Sequence, residues 1–359
     1  MNEKNNSLNV EKKDIIGYIL SILVIFIHTT SFFYYQELSG NECMTDINLT
    51  LKIILKNTVS LGAVPLFFII SGAYFYRNYD NAMYISKVKT RFRSLVLPYL
   101  FWNIVMLLFN IVTSYSFISN YFVGREKFEI NALNVFLAIF HHYGNNIFWY
   151  IFDLIIFVLI APVINLIVKN KYIGMIVIVS IVILNGYGIG IPESIFFSQI
   201  SIAFYIFGAL IGKHYFKEFT AISTKKICIV SGVLIVVSCV YLFFVYIMNV
   251  PKEYSYIYTI MNTIVLFIIA IALWKVVDIF IDKLKRFNFM KESFLVYATH
   301  VNILAMSNKI LYFIFPKVNY FAIPNLILST MITLFVVHIL NTILQKYCPK
   351  IYLIATGNR

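Results

Sequence analysis

Charge is what this 359-residue chain has least of. Asp, Glu, Lys and Arg make up 13% of it, about half the ~25% of an ordinary globular domain. With 60% hydrophobic residues and a mean hydropathy of +0.82, that scarcity excludes a soluble protein and leaves an integral membrane one. Cysteine is sparse too. Cys43, Cys228, Cys239 and Cys348 have no metal-ligand or redox spacing, and only Cys43 is expected to face an oxidising side. Neither a disulfide framework nor a metal site is expected. No internal repeat is visible, so the symmetry of many transporters is missing. The longest stretches outside the apolar runs, 34–58 and 114–146, hold no soluble domain, and 1–359 reads as one domain.

What the chain does have is apolar runs of helix-spanning length, about 15–25 residues each at about 1.5 Å per residue. Ten are read, at 15–33, 59–76, 95–113, 147–168, 173–191, 195–211, 227–248, 256–277, 294–315 and 322–344. A shorter one at 132–140 is interfacial or re-entrant. The fold expected is therefore an all-α bundle of about ten transmembrane helices. The opening "MNEKNNSLNVEKKD" precedes a run too long for a signal peptide's apolar region and lacks a cleavage site, so that run is the first span.

The formal net charge of +13 would suggest nucleic acid until the charges are placed. With the amino terminus inside, 22 of the 29 Lys and Arg fall on the cytoplasmic side. This is the positive-inside bias, and it puts both termini in the cytoplasm, with 1–13 as an N-terminal segment and 345–359 as a tail. No nucleic-acid partner is implied.

Several polar groups interrupt the apolar runs. "ILVIFIHTT" (22–30) buries His28 in the first span, and an intramembrane ionisable residue marks a functional site or a packing contact with a neighbouring helix. "AVPLFFIISGAYFYRN" (63–78) combines Pro65 with Ser71-Gly72, which permit a kink and a close helix approach. "SKVKTRFRSLVLPYLFWN" (86–103) places Lys87/Arg91 and Lys89/Arg93 as two i,i+4 pairs on adjacent faces, suited either to topology or to a phosphorylated cytosolic ligand. "NNIFWYIFDLIIFVLIAPVI" (145–164) sets Trp149 at the outer interface and Asp153 one turn deeper. "SIAFYIFGALIGK" (201–213) has Gly208 and Gly212 at small-xxx-small spacing, which reads as packing. "ESFLVYATHVNIL" (292–304) puts Ser293, Tyr297 and His300 on one stripe of a helix.

In this order, these pieces resemble the acyltransferase-three family of multispanning membrane O-acyltransferases, over about 280 residues from Asp14 to Val301. The resemblance implies an O-acetyltransferase that moves an acetyl or similar acyl group from acetyl-CoA, its cosubstrate, to a hydroxyl of a cell-surface or exported polysaccharide or lipid-linked glycan. The expected location is the bacterial cytoplasmic membrane. Two positions depart from the family pattern. Gly17 stands where an arginine is common, with Lys13 one turn below as its candidate substitute. Ile147 stands where a second histidine is common, with His141 and His142 just upstream in a different register. A divergent, inactive member is one alternative reading, and a glycan transporter or flippase is the other.

By helical rise, His28 falls in the outer half and His300 about 10 Å inside the cytoplasmic end. The expected site has His28 acting on the acceptor hydroxyl as a base or carrying the acyl group, with Asp153 holding its tautomer. Lys89, Arg91 and Arg93 take the CoA phosphates. Tyr297 and His300 line the donor channel, and Trp149, His141 and His142 contact the acceptor.

Overall fold

The structure, a computed structural model, describes residues 2–29, 54–56, 58–116, 127–190, 197–248, 255–315 and 321–358. Cys43 lies outside them. Helix is the only regular secondary structure among the described residues, and each of the ten apolar runs contains one. The helices are α1 (Asn2–His28), α2 (Ala63–Tyr76), α3 (Tyr84–Arg91), α4 (Leu97–Tyr115), α5 (Ala132–Phe140), α6 (Trp149–Leu159), α7 (Ala161–Lys169), α8 (Lys171–Gly186), α9 (Gln199–His214), α10 (Lys225–Ile247), α11 (Ser255–Val276), α12 (Ser293–Ile314), α13 (Ala322–Tyr347) and α14 (Pro349–Thr356).

Five stretches are long and apolar enough to cross a membrane: Ile54–Tyr76, Asn81–Tyr115, Lys225–Val245, Ser255–Ile279 and Ala322–Tyr347. A sixth is added if α6 and α7 count as one broken span. The helices outside this set are shorter or more polar. α8 and α9 have 16 residues each, about 24 Å at helical rise, which is less than a ~30 Å hydrocarbon core. α9 is nearly enclosed by other helices, whereas α8 packs on it by one face and is exposed over most of its length.

Glycine is what lets α9 into the centre. On α2 and α9 the backbones touch: a Cβ built on Gly208 would lie 2.1 Å from the Ile69 carbonyl oxygen, and one on Gly212 would lie 2.4 Å from that of Ala73. Gly72 meets the Tyr205 carbonyl from the other side at 2.3 Å. This is small-residue packing, in which backbone approach supplies the dispersion contacts that lipid cannot supply preferentially. Residues 69 and 73 match 208 and 212 in the same order, so α2 and α9 run parallel. α1 and α12 are also parallel, as Gly17 lies against Ser293 and His28 against His300.

Two breaks have identifiable causes. At Ile160, α6 and α7 are bent by 71°. Pro162 lacks the amide that would continue the ladder, and two tyrosines occupy carbonyls at the break: Tyr84 Oη donates to Leu159 O at 2.8 Å, and Tyr76 Oη to Ala161 O at 3.0 Å. Between α3 and α4 a wide π-turn, Phe92–Val96, precedes Pro98. α14 packs there, with Trp102 Nε1 donating to Ala355 O at 2.8 Å. Gly357, at φ +69°, lies so close to Ser94 O that a Cβ would be 2.7 Å away.

The basic end of α1 is fixed by a buried ion pair. Lys12 Nζ lies 2.7 Å from Asp278 Oδ1, both side chains almost fully enclosed, and 4.1 Å above the Trp274 ring. Burial pulls the Lys12 ammonium down to about 8, against the opposing pull of Asp278. Lys13 is exposed. This corrects the expectation that Lys13 serves Gly17: Gly17 is a packing position, its Cβ direction filled by Ser293 Oγ at 3.3 Å, and the lysine the fold encloses is Lys12, on Asp278. Lys12→Ala leaves buried Asp278 with the Ser223 amide but without its cation and is expected to destabilise the protein by about 3–5 kcal/mol, whereas Lys13→Ala changes little. Thermal unfolding of both variants in detergent checks the order, and equal losses would refute it.

Candidate functional site

Ten of the fourteen residues of α2 are buried. The other four, Val64, Phe67, Ser71 and Tyr74, are half-buried and recur at i, i+3, i+7 and i+10, one stripe of the helix. A stripe of partial exposure on an enclosed helix marks internal space. At its outer end a cavity of about 30 Å³ is lined by His28, Trp149, Tyr150, Tyr297, His300 and Phe67, among others. It has room for about one or two waters. The stripe continues through Ser71, whose hydroxyl is 3.2 Å from Tyr150 Oη. It ends at Tyr74, close enough to Arg77 and Asp14 to feel both charges.

The two imidazoles on this cavity are neighbours, with ring centroids 5.2 Å apart. The depths counted from the helix ends put them at different levels; the packing of α1 on α12 brings them together. His300 is fully buried. Its Nδ1 lies 2.8 Å from Tyr297 O and 3.1 Å from Val296 O. Both partners are carbonyls, so this nitrogen carries the proton. Nε2 is left with its lone pair and makes no hydrogen bond to any of the described residues. A buried nitrogen without a partner is costly, and here it belongs to a residue lining the cavity that His28 also lines.

Tyr297 joins the two sides of the cavity, its hydroxyl donating to Ile147 O and its ring 5.9 Å from that of Tyr150. Ser21 Oγ donates to Gly17 O and Ser293 O at 2.9 and 3.1 Å, locking α1 to α12 just below. Lys56 Nζ donates to Thr29 O at 3.1 Å, placing a cation at the carbonyl end of α1 beside His28, where the helix dipole favours it.

A family model for the acyltransferase domain matches residues 14–342. The chain belongs to acyltransferase family 3. It is a multi-pass membrane acyltransferase. No curated protein and no solved structure matches it.

The acyltransferase brings together His28, Trp149, Tyr297 and His300 from the residues expected at its site. It does not bring Asp153 to them. Buried one turn deeper than Trp149, Asp153 accepts from Ser201 Oγ at 2.5 Å and from the Ser198 amide at 3.2 Å. The carboxylate thus caps the start of α9, a good place for negative charge. This corrects its assignment as the group holding the His28 tautomer: residue counting gave its depth but not that the start of α9 takes up its carboxylate.

The basic cluster divides. Arg91 and Lys87 turn inward over the Phe75 ring, at 5.7 and 5.5 Å, while Lys89 and Arg93 are exposed. Two positions along a helix are about 200° apart, so Arg91 and Arg93 cannot grip one phosphate. Lys87 and Arg91 therefore share the inward face, and Lys89 and Arg93, expected to act with Arg91, face outward.

His141 and His142 are stacked on one another, with centroids 4.9 Å apart, and packed against Phe152. They do not line the cavity, so the structure assigns them no contact with an acceptor there. His142 has a positive φ of 51°, uncommon outside glycine. Burial and the neighbouring His141 push its pKa down to about 4. The folded ring therefore stays neutral while the unfolded one takes a proton near 6.5. The unfolded chain binds more protons between those values, so stability falls as pH drops from about 6.5 to about 4. His142→Asn tolerates the left-handed backbone but does not titrate. Its melting temperature is expected to fall less than the wild type's between pH 7 and pH 5, and identical falls would place the acid sensitivity elsewhere.

Sequence reading missed Lys56, Tyr150 and the stripe on α2. It also missed Glu292, buried before α12, which accepts from His338 Nδ1 at 2.8 Å and Asn341 Nδ2 at 3.0 Å. The 3–4 spacing of Val64, Phe67, Ser71 and Tyr74 was readable, but nothing in a helix that is apolar all round said which face was open.

Proposed function

We propose that the protein is an O-acetyltransferase of the bacterial cytoplasmic membrane, moving an acetyl group from acetyl-CoA to a hydroxyl of a cell-surface or exported polysaccharide. The observation that carries this reading is the His28–His300 pair on one cavity, at the end of a half-buried stripe reaching the basic end of the bundle.

A hydroxyl is a poor nucleophile until a base takes its proton, and neutral imidazole is suited to that near pH 7. His28, the more accessible of the pair, takes the proton from the acceptor. The alkoxide oxygen attacks the thioester carbonyl, the C–S bond breaks, and the proton passes to the leaving thiolate. The imidazolium formed meanwhile at His28 has the lone pair of His300 Nε2 beside it, the service a carboxylate renders in hydrolase triads. His300 is thus a positioning residue, in place of Asp153.

Acetyl-CoA approaches from the cytoplasmic side. Lys87 and Arg91 hold its phosphates, and its acyl arm follows Tyr74, Ser71 and Phe67 to the cavity, which widens to admit it. Phosphate binding is largely uniform binding, so Arg91→Ala is expected to raise KM for acetyl-CoA about tenfold with little change in kcat, and Arg93→Ala to change neither. Matching effects from the two variants would return the cluster to a topological role. Radiolabelled acetyl-CoA supplied to inverted membrane vesicles tests the function itself. Protein-dependent label in polysaccharide, released by mild base as an ester, is expected. Label absent from glycan and found in lipid or protein would replace the acceptor.

A further inference from the structure

A wider concavity lies elsewhere in the protein. It is a groove of about 690 Å³ on the surface where α7 ends, α8 begins and α9 ends, lined by Lys169, Lys171, Tyr172, His214, Leu166 and neighbours. We infer that this groove binds the phosphate headgroup of an anionic phospholipid from the leaflet at the basic end of the bundle.

Charge is the first argument. Lys169 and Lys171 are exposed, the lining holds no carboxylate, and among the described residues neither lysine makes an ion pair. The next lysine, Lys213, is turned away and spends its ammonium on Tyr79 O at 2.8 Å and Asn165 Oδ1 at 3.2 Å. His214 is fastened across the floor, its ring nitrogen Nε2 2.8 Å from Val168 O. The groove's shape is therefore set by packed elements, and its two cations are free to take an anion.

The rim decides which anion. Leu166 is 65% exposed, Tyr172 68% and Ile173 50%, and Lys169 closes an apolar run, which puts the groove where hydrocarbon meets headgroups. A soluble phosphate would use the cations and leave this apolar surface uncovered. A phospholipid uses both, with acyl chains along Leu166 and Ile173 and the phosphodiester on the lysines. Basic pockets between helices on the cytoplasmic side commonly hold such headgroups. Tyr172, with Lys171 5.1 Å over its ring, is the type of residue that sits at headgroup depth.

The test uses the full-length protein in a neutral detergent and native mass spectrometry, with phosphatidylglycerol and phosphatidylcholine of matched chains added in competition. The wild type is expected to retain phosphatidylglycerol at least tenfold in preference. K169Q/K171Q is expected to lose that preference and K169R/K171R to keep it, while K225Q/K226Q, which removes two exposed lysines on the α10 start outside the groove, retains it. Glycerol phosphate at millimolar concentration is expected not to displace the lipid. Undiminished preference in K169Q/K171Q, or equal loss in K225Q/K226Q, overturns the site. Displacement by glycerol phosphate overturns the lipid as occupant.

Discussion

His28→Ala is expected to lower acyl transfer by about 10²–10⁴-fold, the range for loss of a general base, with insertion and folding intact. His28 ends α1 on the cavity rather than in the packed core, so removing its ring leaves only a slightly larger space. His300 gives the companion result. Its Nδ1 proton is committed to two backbone carbonyls, which leaves Nε2 as a fixed acceptor beside His28. His300→Ala should cut kcat about 10-fold or more with a smaller change in KM, and flatten the limb of the pH–rate profile that reports His28. His300→Gln, which can present an amide oxygen near the same place, should recover part of the loss. A normal rate in His28→Ala ends its catalytic assignment. A KM effect alone in the His300 variants would make that residue a channel wall.

Gly208→Val is expected to prevent assembly altogether. The first added carbon would lie 2.1 Å from the Ile69 carbonyl oxygen, and Ile69 Cα and C are also within 2.8 Å. These are backbone atoms in a helix, so no rotamer change relieves the overlap and α2 must part from α9. That opens the contact behind the stripe lining the cavity. The expected outcome is aggregation or loss of a monodisperse peak in detergent, where Gly232→Val, with open space around its Cβ, behaves as wild type. A well-folded, active Gly208→Val protein would show that the two helices can separate without cost.

The helices were legible because apolar length is a property of each segment alone. Which residues meet was only partly legible, because residue number gives height along a helix and says nothing of which helix stands opposite. His28 and His300 were both marked by their chemistry, yet counting from the ends set them at different depths. Asp153 was marked too, and correctly as a buried carboxylate, but its partners Ser198 and Ser201 belong to a helix start 45 residues on. With the basic run, spacing showed Lys87 with Arg91 as one face, and only the position of Phe75 shows that this is the face turned inward. Register singled out Lys13 beside Gly17, and only the position of Asp278 shows that Lys12 is the lysine the fold encloses.

The parallel pairing of α1 with α12 also fixes an order of events during synthesis. α1 enters the membrane first, yet Ser21 reaches its acceptor at Ser293 across 272 residues, and Lys12 must wait for Asp278. Until α11 and α12 arrive, the nascent first helix carries an uncompensated lysine at one end and a histidine at the other, so it has no reason to settle at its final depth. Contacts of such sequence separation close slowly. The site on the cavity is therefore incomplete until α12 arrives, and a chain released before it has His28 without Tyr297 or His300.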